Sequence, residues 1–448
     1  MKLIYNIQDK PKFGQRIVFA IQQLLAIMAA TLVVPIIIGN DMSPAAALFG
    51  AGVGTIVYLL FTKFKSPVFL GSSFAFLGSM GAAFAGGVSM SLGYLGLIIG
   101  AFAAGLVYVI IAIIVKLCGV KWISVLMPPV VIGPTVAIIG LSLAGNAVGD
   151  LTKGELKGSN TYVAIICGLV TLAVVMLAST FGKKMMKLIP FILGIGAGYA
   201  VAAIFTVIGI ATGNDSLRII DFSYFTNLLV DGKVALSTFV SVPDFTFLTA
   251  FKGTGELNAA YITKILVAYV PVAFVVFAEH IADHKNISSI IEKDLLEEPG
   301  LHRTLLGDGV GSMVGAFFGG CPNTTYGESV ACVAITGNAS VITILYAAFG
   351  AIIISFLSPF VAIVDSIPPC VMGGVCMALY GFIAVSGLKM IQKVNLEENR
   401  NLFVVSVILI AGIGGLTISF GAVTITNIAC ALILGILANL MLSGKKAE

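Results

Sequence analysis

CPNTTYGES, residues 321–329, is the stretch on which the reading of the fold turns. It lies between two apolar runs, GDGVGSMVGAFFGG (307–320) and VACVAIT (330–336). Pro322, Asn323, the two threonines and Gly327 make a poor continuous helix, because proline lacks an amide donor and short polar side chains compete for backbone bonds. A second stretch of this kind, SPVFLGSSFAF, occupies 66–76. In lipid every backbone polar group needs a partner, so broken helix is tolerated only against protein or a wet cavity. The two stretches are therefore expected inside a bundle, next to a site.

The rest of the chain supplies the bundle. Of 448 residues, 58% are hydrophobic and 10% charged, and the mean hydropathy is +1.08. An average soluble domain is about 25% charged. This composition excludes a soluble globular enzyme, a disordered chain and a nucleic-acid binder, and it fits an all-α polytopic membrane protein. Apolar runs of spanning length fall near 16–38, 44–61, 66–86, 92–117, 125–145, 161–181, 188–211, 260–283, 301–319, 322–337, 340–362, 368–388, 402–421 and 423–443, about fourteen in all. They are continuous, as in LVYVIIAIIV (106–115), and do not alternate as barrel strands do. The opening MKLIYNIQDKPKFGQR is polar and basic with no cleavage signal. The seven cysteines are unpaired in spacing and are expected as free thiols.

Basic residues orient the spans. With the N-terminus inside, nineteen of the 25 Lys and Arg fall on the inner side, and only Lys153, Lys157, Arg218, Lys233, Lys252 and Lys264 fall outside. Both termini are thus expected in the cytoplasm. The long polar gap at 212–259 leaves seven runs before it and seven after. An odd number per half inverts the second half relative to the first, and the interrupted run is the third of each half. That is the arithmetic of a 7+7 inverted repeat with a substrate site where the two broken spans meet.

Acids inside spans are functional by default. Glu279 and Asp283, in VVFAEHIADH, share a helix face at i and i+4, with Asp283 expected at the end of its span; Glu328 lies in the broken tenth run. His280 and His284 have the same spacing, but no glutamate follows the first, so a zinc-protease site is not indicated and no metal is expected. No G-x-x-x-x-G-K-[ST] occurs. The glycines at 50–55 and 307–320 are read as close helix packing. His302 and Asp365 are read as interfacial.

LGSSFAF (70–76), FAEHIADH (277–284), KDLLEEPGLHRTLLGDG (293–309), CPNTTYGES (321–329) and PPCVMGGVCMALYG (368–381) resemble the uracil-permease branch of the nucleobase/ascorbate transporter family, with similarity over nearly the whole chain. The resemblance implies fourteen spans, with short antiparallel strands in spans three and ten. It implies a core domain (1–120, spans 1–4, and 258–364, spans 8–11) and a gate domain (121–257, spans 5–7, and 365–448, spans 12–14). It also implies a homodimer in the cytoplasmic membrane and proton-coupled uracil uptake by elevator-like alternating access. The proton gradient is the energy source, with no cofactor and no enzymatic step. Its uracil-binding acids correspond to Glu279 and Glu328, its backbone donors to Phe74, beside Ser73, and to Gly327, and its pocket lining to Ala30, Tyr326 and Tyr380. Where some members have a proton-linked histidine this chain has Asp283, and where some have Asn after the second acid it has Ser329. Purine-type members carry Gln-Asn in place of Tyr-Gly-Glu, so TTYGE favours a pyrimidine over xanthine.

Uracil is a neutral planar ring with two N–H donors and two carbonyls. Ionised carboxylates only accept, so Glu279 and Glu328 suit the ring N–H groups, and half-helix amides suit the carbonyls. Proton coupling is expected at Asp283 with Glu279, Asp283 taking up the proton and the two carboxyls acting as a coupled pair. A sodium-coupled or purine symporter, an anion transporter of the same architecture and an intramembrane enzyme are the alternatives. Two acids argue against an anion, and no nucleophile or metal set supports an enzyme.

Overall fold

The computed structural model describes residues 3–120, 122, 127–183, 185–420 and 423–443. Lys2, Lys121, Lys184, Lys445 and Lys446, counted in the orientation of the spans, lie outside the described residues.

The first half runs α1 (Phe13–Ile38), α2 (Pro44–Phe61), β1 (Leu70–Ser72), a 3-10 turn (Phe74–Phe76) leading into α3 (Leu77–Phe84), then α4 (Met90–Cys118), α5 (Pro129–Ser142), α6 (Thr161–Phe181) and α7 (Pro190–Thr212). The second half repeats the order with α8 (Ala259–Ile291), α9 (Leu301–Gly319), β2 (Asn323–Thr325), α10 (Gly327–Thr336), α11 (Val341–Ser355), α12 (Pro369–Ile391), α13 (Asn399–Ile413) and α14 (Asn427–Met441). Among the described residues eight of these helices (α1, α2, α4–α8 and α12) are long and apolar enough to cross a membrane; α5 counts together with its extension to Asp150. The shorter apolar helices include α10, α11, α13 and α14. Leu106, Ile110, Ile113 and Leu117 line one exposed face of α4, and Ile204, Val207 and Ile208 do so on α7. A water-soluble surface does not carry apolar faces of this extent; they suit lipid. The protein is a multi-pass membrane protein.

Two sets of helices pack mainly among themselves: α1, α2, α4, α8, α9 and α11 in one, and α5, α6, α7, α12, α13 and α14 in the other. Small residues set the closest approach in the first set. A methyl group on Gly50 would overlap the Gly315 carbonyl, and one on Gly54 would meet the Gly311 carbonyl, so α2 and α9 touch backbone to backbone. This is the packing read from the glycine-rich runs.

The third run of each half is broken as the sequence indicates. β1 and β2 pair antiparallel, Leu70 with Thr325, Gly71 with Thr324 and Ser72 with Asn323. Gly71 is required there, since a side chain would strike the Tyr326 ring.

Two expectations need correction. The eighth run was expected to end at Asp283, but α8 continues to Ile291, which puts Asp283 two turns inside the helix. The polar stretch HKNISSII keeps helical phase because its Ile287 and Ile291 still face the core. The thirteenth run was expected as helix to 421. Instead α13 stops at Ile413, and Ile418–Phe420 pairs antiparallel with Val423–Ile425. The pair Gly414-Gly415, with Gly415 at φ +71°, ends the helix, and the β-branched residues beyond it favour strand.

The backbone contact between α2 and α9 yields a prediction. Gly50→Val, whose side chain would strike the Gly315 backbone, should lower the thermal midpoint of the detergent-purified protein by several degrees. Gly14→Ala, where added atoms meet open space, should leave it within a degree or so. Differential scanning fluorimetry reads both.

Candidate functional site

Five helices begin on a side-chain cap: Ser43 for α2, Ser89 for α4, Asn160 for α6, Asn258 for α8 and Thr426 for α14. The two half-helices do not. Ser73 before the 3-10 turn and Tyr326 before α10 make no side-chain cap bond. The first amides of an uncapped helix are donors without intrahelical partners, and the helix dipole makes that end positive. Both ends open on one cavity.

That cavity has a volume of about 480 Å³, within the range of small-ligand sites. Ser73 and Phe74 line it from the first broken run, Glu279 and Asp283 from α8, and Thr325, Tyr326, Gly327 and Glu328 from the second broken run. The opposite wall comes from the other helix set and is mostly apolar, with Ile132, Val136, Phe191, Phe382 and Ile383; Ser179, Ser386 and Lys187 are its polar members. The buried Ser73 hydroxyl has no partner among the described residues. Thr325 Oγ1 donates to Asp283 Oδ2 at 3.0 Å, which ties the acid to the end of β2.

Several hydrogen bonds tie the strands to the helices around them. The Phe69 amide (2.9 Å) and Gln23 Nε2 (2.5 Å) both donate to Ser329 Oγ, joining α1, the approach to β1 and the first turn of α10. The Ser73 amide donates to the Pro322 carbonyl at 2.8 Å, and the Leu70 amide to Thr55 Oγ1 at 3.0 Å.

Seven of the expected site residues thus come together: Ser73, Phe74, Glu279, Asp283, Tyr326, Gly327 and Glu328. Two do not line the cavity. Ala30 is sealed in the core, and Ala26, one helical turn earlier on α1, holds the place at the wall. Tyr380 is buried behind Phe74, their ring centroids 6.2 Å apart edge to face, while Leu379 and Ile383 reach the cavity. Tyr326 lines the cavity, and its hydroxyl donates to the Ser72 carbonyl at 2.7 Å, which turns the ring toward the β1 side.

A second polar cluster lies behind the strands, and the sequence reading missed its key member. Asp308 on α9 is 1% exposed, and its Oδ2 is 2.6 Å from His280 Nδ1. Thr304 donates to the Leu301 carbonyl, so His280 Nε2–H donates to Thr304 Oγ1 at 3.0 Å, and the short Nδ1–Oδ2 contact must itself hold a proton. His284 Nδ1–H donates to the His280 carbonyl at 2.8 Å; its Nε2 then accepts from the Tyr58 hydroxyl at 2.7 Å, which accepts from Ser66 at 2.6 Å. The two histidines are therefore fixed structural partners, with each tautomer assigned by its neighbours. Asp308 was hidden among the glycines of GDGVGS; an acid inside an apolar run was the signal available. Among the described residues no three of His, Cys, Asp and Glu gather as a metal-binding group. All seven cysteines are free.

Antiparallel strands crossing in mid-bundle, two uncapped half-helices and a carboxylate-lined cavity between two helix sets define a membrane transporter with a central binding site. The chain belongs to the Permease family (Xan_ur_permease), whose model matches residues 14–420. It is 39% identical to the uracil permease of Bacillus caldolyticus, over 99% of this chain and 96% of that one. It is 36% identical to the uracil permease of Bacillus subtilis, over 100% and 97% of the two chains, and 34% identical to that of Escherichia coli K12, over 96% and 92%. In fold it is similar to the transmembrane domain of the cyanobacterial bicarbonate transporter BicA, with a TM-score of 0.62 and 15% identity over 98% of this chain and 99% of that one. It is also similar to murine Slc26a9, an anion transporter in the inward-facing state, with a TM-score of 0.63 and 11% identity over 97% and 69% of the two chains. The protein is a permease, a transporter and not an enzyme.

The buried Asp308–His280 pair yields a prediction. Asp308→Ala leaves a buried imidazole without its partner and should destabilise the fold by about 3 kcal/mol. His280→Ala should behave alike, and the double variant should lose less than the sum. Thermal unfolding of the three variants checks this.

Proposed function

We infer that this permease carries uracil, or a closely related pyrimidine base, into the cell by proton symport. One observation carries the reading: Glu279 and Glu328 line the same cavity as the uncapped starts of both half-helices. The carboxylates accept the two ring N–H groups, and the amides near Phe74 and Gly327 donate to the two carbonyls. Phe74 and the apolar wall of Phe191, Phe382 and Ile383 meet the flat faces of the ring. The names of the relatives support the same substrate. A site that hydrogen-bonds every polar edge of its ligand rejects analogues lacking those edges far better than an apolar slot does.

The anion carried by the structural neighbours fits less well. Among the described residues, three carboxylates face this cavity against a single lysine, Lys187, at its wall. An anion there would meet like charges in a poorly hydrated space.

Proton coupling falls to Asp283. It sits one helical turn from Glu279 on the same cavity face, and two carboxylates so placed resist joint ionisation. The pair titrates as a unit. In this reading, residues 1–120 with 258–364 form a core that carries the site. Residues 121–257 with 365–448 form the gate against which the core shifts. Both termini lie in the cytoplasm.

Labelled uracil in proteoliposomes tests the proposal. An imposed inward proton gradient should drive accumulation, an equal sodium gradient at constant pH should not, and bicarbonate or sulfate should not compete. Glu279→Gln and Glu328→Gln should each weaken uracil binding by about ten- to a hundredfold, since each removes a hydrogen bond to a charged acceptor. Near wild-type affinity in either variant would remove the pocket as described. Asp283→Asn should still bind uracil in equilibrium measurements but lose pH-driven accumulation.

A further inference from the structure

Thr325 stands between the acid of α8 and the positive end of α10. Its hydroxyl donates to Asp283 Oδ2 at 3.0 Å, and its residue pairs with Leu70 as the last step of the β1–β2 ladder. The other oxygen, Asp283 Oδ1, lies 3.9 Å from the position that a Cβ on Gly327 would take. The Asp283 carboxylate therefore spans the junction where β2 ends and the uncapped α10 begins. Among the described residues, few charged groups share this space. Glu279 comes from the same helix, Glu328 from α10 and Lys187 from the facing wall. His280 is engaged with Asp308, and His284 with Tyr58.

We propose that Thr325 is a positioning residue that makes substrate and ionised Asp283 compete for the start of α10. This rests on the reading of the cavity as a uracil site coupled to protons. While ionised, Asp283 accepts from Thr325 and is drawn toward the positive helix end, where a substrate carbonyl must also dock. A proton arriving from solvent on Asp283 neutralises the carboxylate. The hydroxyl bond can then reverse, with the Asp283 O–H donating to Thr325 Oγ1, and the helix end is freed for the carbonyl. No covalent bond to the substrate forms or breaks, and the only atom transferred is the proton. Substrate binding and proton uptake at Asp283 favour one another by linkage.

The sign for a Thr325 variant follows from the bond. The hydroxyl stabilises the charged form of Asp283, so removing it raises the proton affinity of the acid. The binding-competent protonated form then persists to higher pH. With full-length protein in detergent, uracil affinity should fall as pH rises, and in Thr325→Val the midpoint of that fall should move up by about one pH unit. Thr325→Ser restores the donor and should return the midpoint to the wild-type value. A Thr325→Val midpoint that stays in place or moves down, or a Thr325→Ser midpoint that fails to return, overturns the role of Thr325. A pH dye in weakly buffered wild-type protein provides a reading that needs no Thr325 variant. Uracil binding should take up protons there, with the same midpoint, and should take up none in Asp283→Asn. Binding without uptake in the wild type overturns the competition. Wild-type protein that binds no uracil at any pH overturns the proposed function instead, and this inference falls with it.

Discussion

Three pairs of residues, Leu70 with Thr325, Gly71 with Thr324 and Ser72 with Asn323, make the rest of the structure possible. They close the backbone bonds of two broken helices in the interior of the bundle, where neither water nor lipid can do so. Because the strands take up the polar groups leading into each break, the chain can start two half-helices there. The starts of those half-helices are then the donors that a buried polar ligand needs. A continuous helix at either place would have offered no free amide and no cavity.

Around that junction the protein uses small residues and hydroxyls in different ways. Glycines on α2 and α9 remove side chains so that backbones touch and the scaffold becomes rigid. Hydroxyls of Thr55, Ser329 and Thr325 tie the strands to α2, to α1 and to α8. The buried pair of Asp308 and His280 sits behind β2 and faces away from the cavity lining. The polar groups thus divide into a frame largely hydrogen-bonded within the protein and a front row, Ser73, Glu279 and Glu328, whose members face the cavity. The frame holds the front row still, which is what a small rigid ligand requires of its site.

Much of this was legible in the residues. The apolar runs marked the helices, and 44–61, 161–181 and 301–319 coincide with α2, α6 and α9 end to end, because lipid-scale apolarity is a strong one-dimensional signal. The broken runs were legible through Pro322, Gly71 and the hydroxyls beside them. Glu279, Asp283 and Glu328 were legible because charge is rare at that depth. The side-chain directions were less so. Ala30 against Ala26, and Tyr380 against Leu379 and Ile383, differ by a helical turn or less, and the choice depends on how α1 and α12 are rotated in the bundle. The Tyr326 ring turned toward Ser72 because a buried phenol needs an acceptor and the end of β1 offered one.

The amino-acid order by itself determined that this chain lies in a membrane, that its halves repeat and that acids and broken helix would meet at one depth. These follow from composition and periodicity, which act locally along the chain. Only the tertiary structure decided which acids share the cavity and which, like Asp308, retire behind it. Only the tertiary structure joined Thr325 to Asp283, 42 positions apart. Such choices depend on distances of a few ångströms between distant segments, and those distances exist only once the helices have packed.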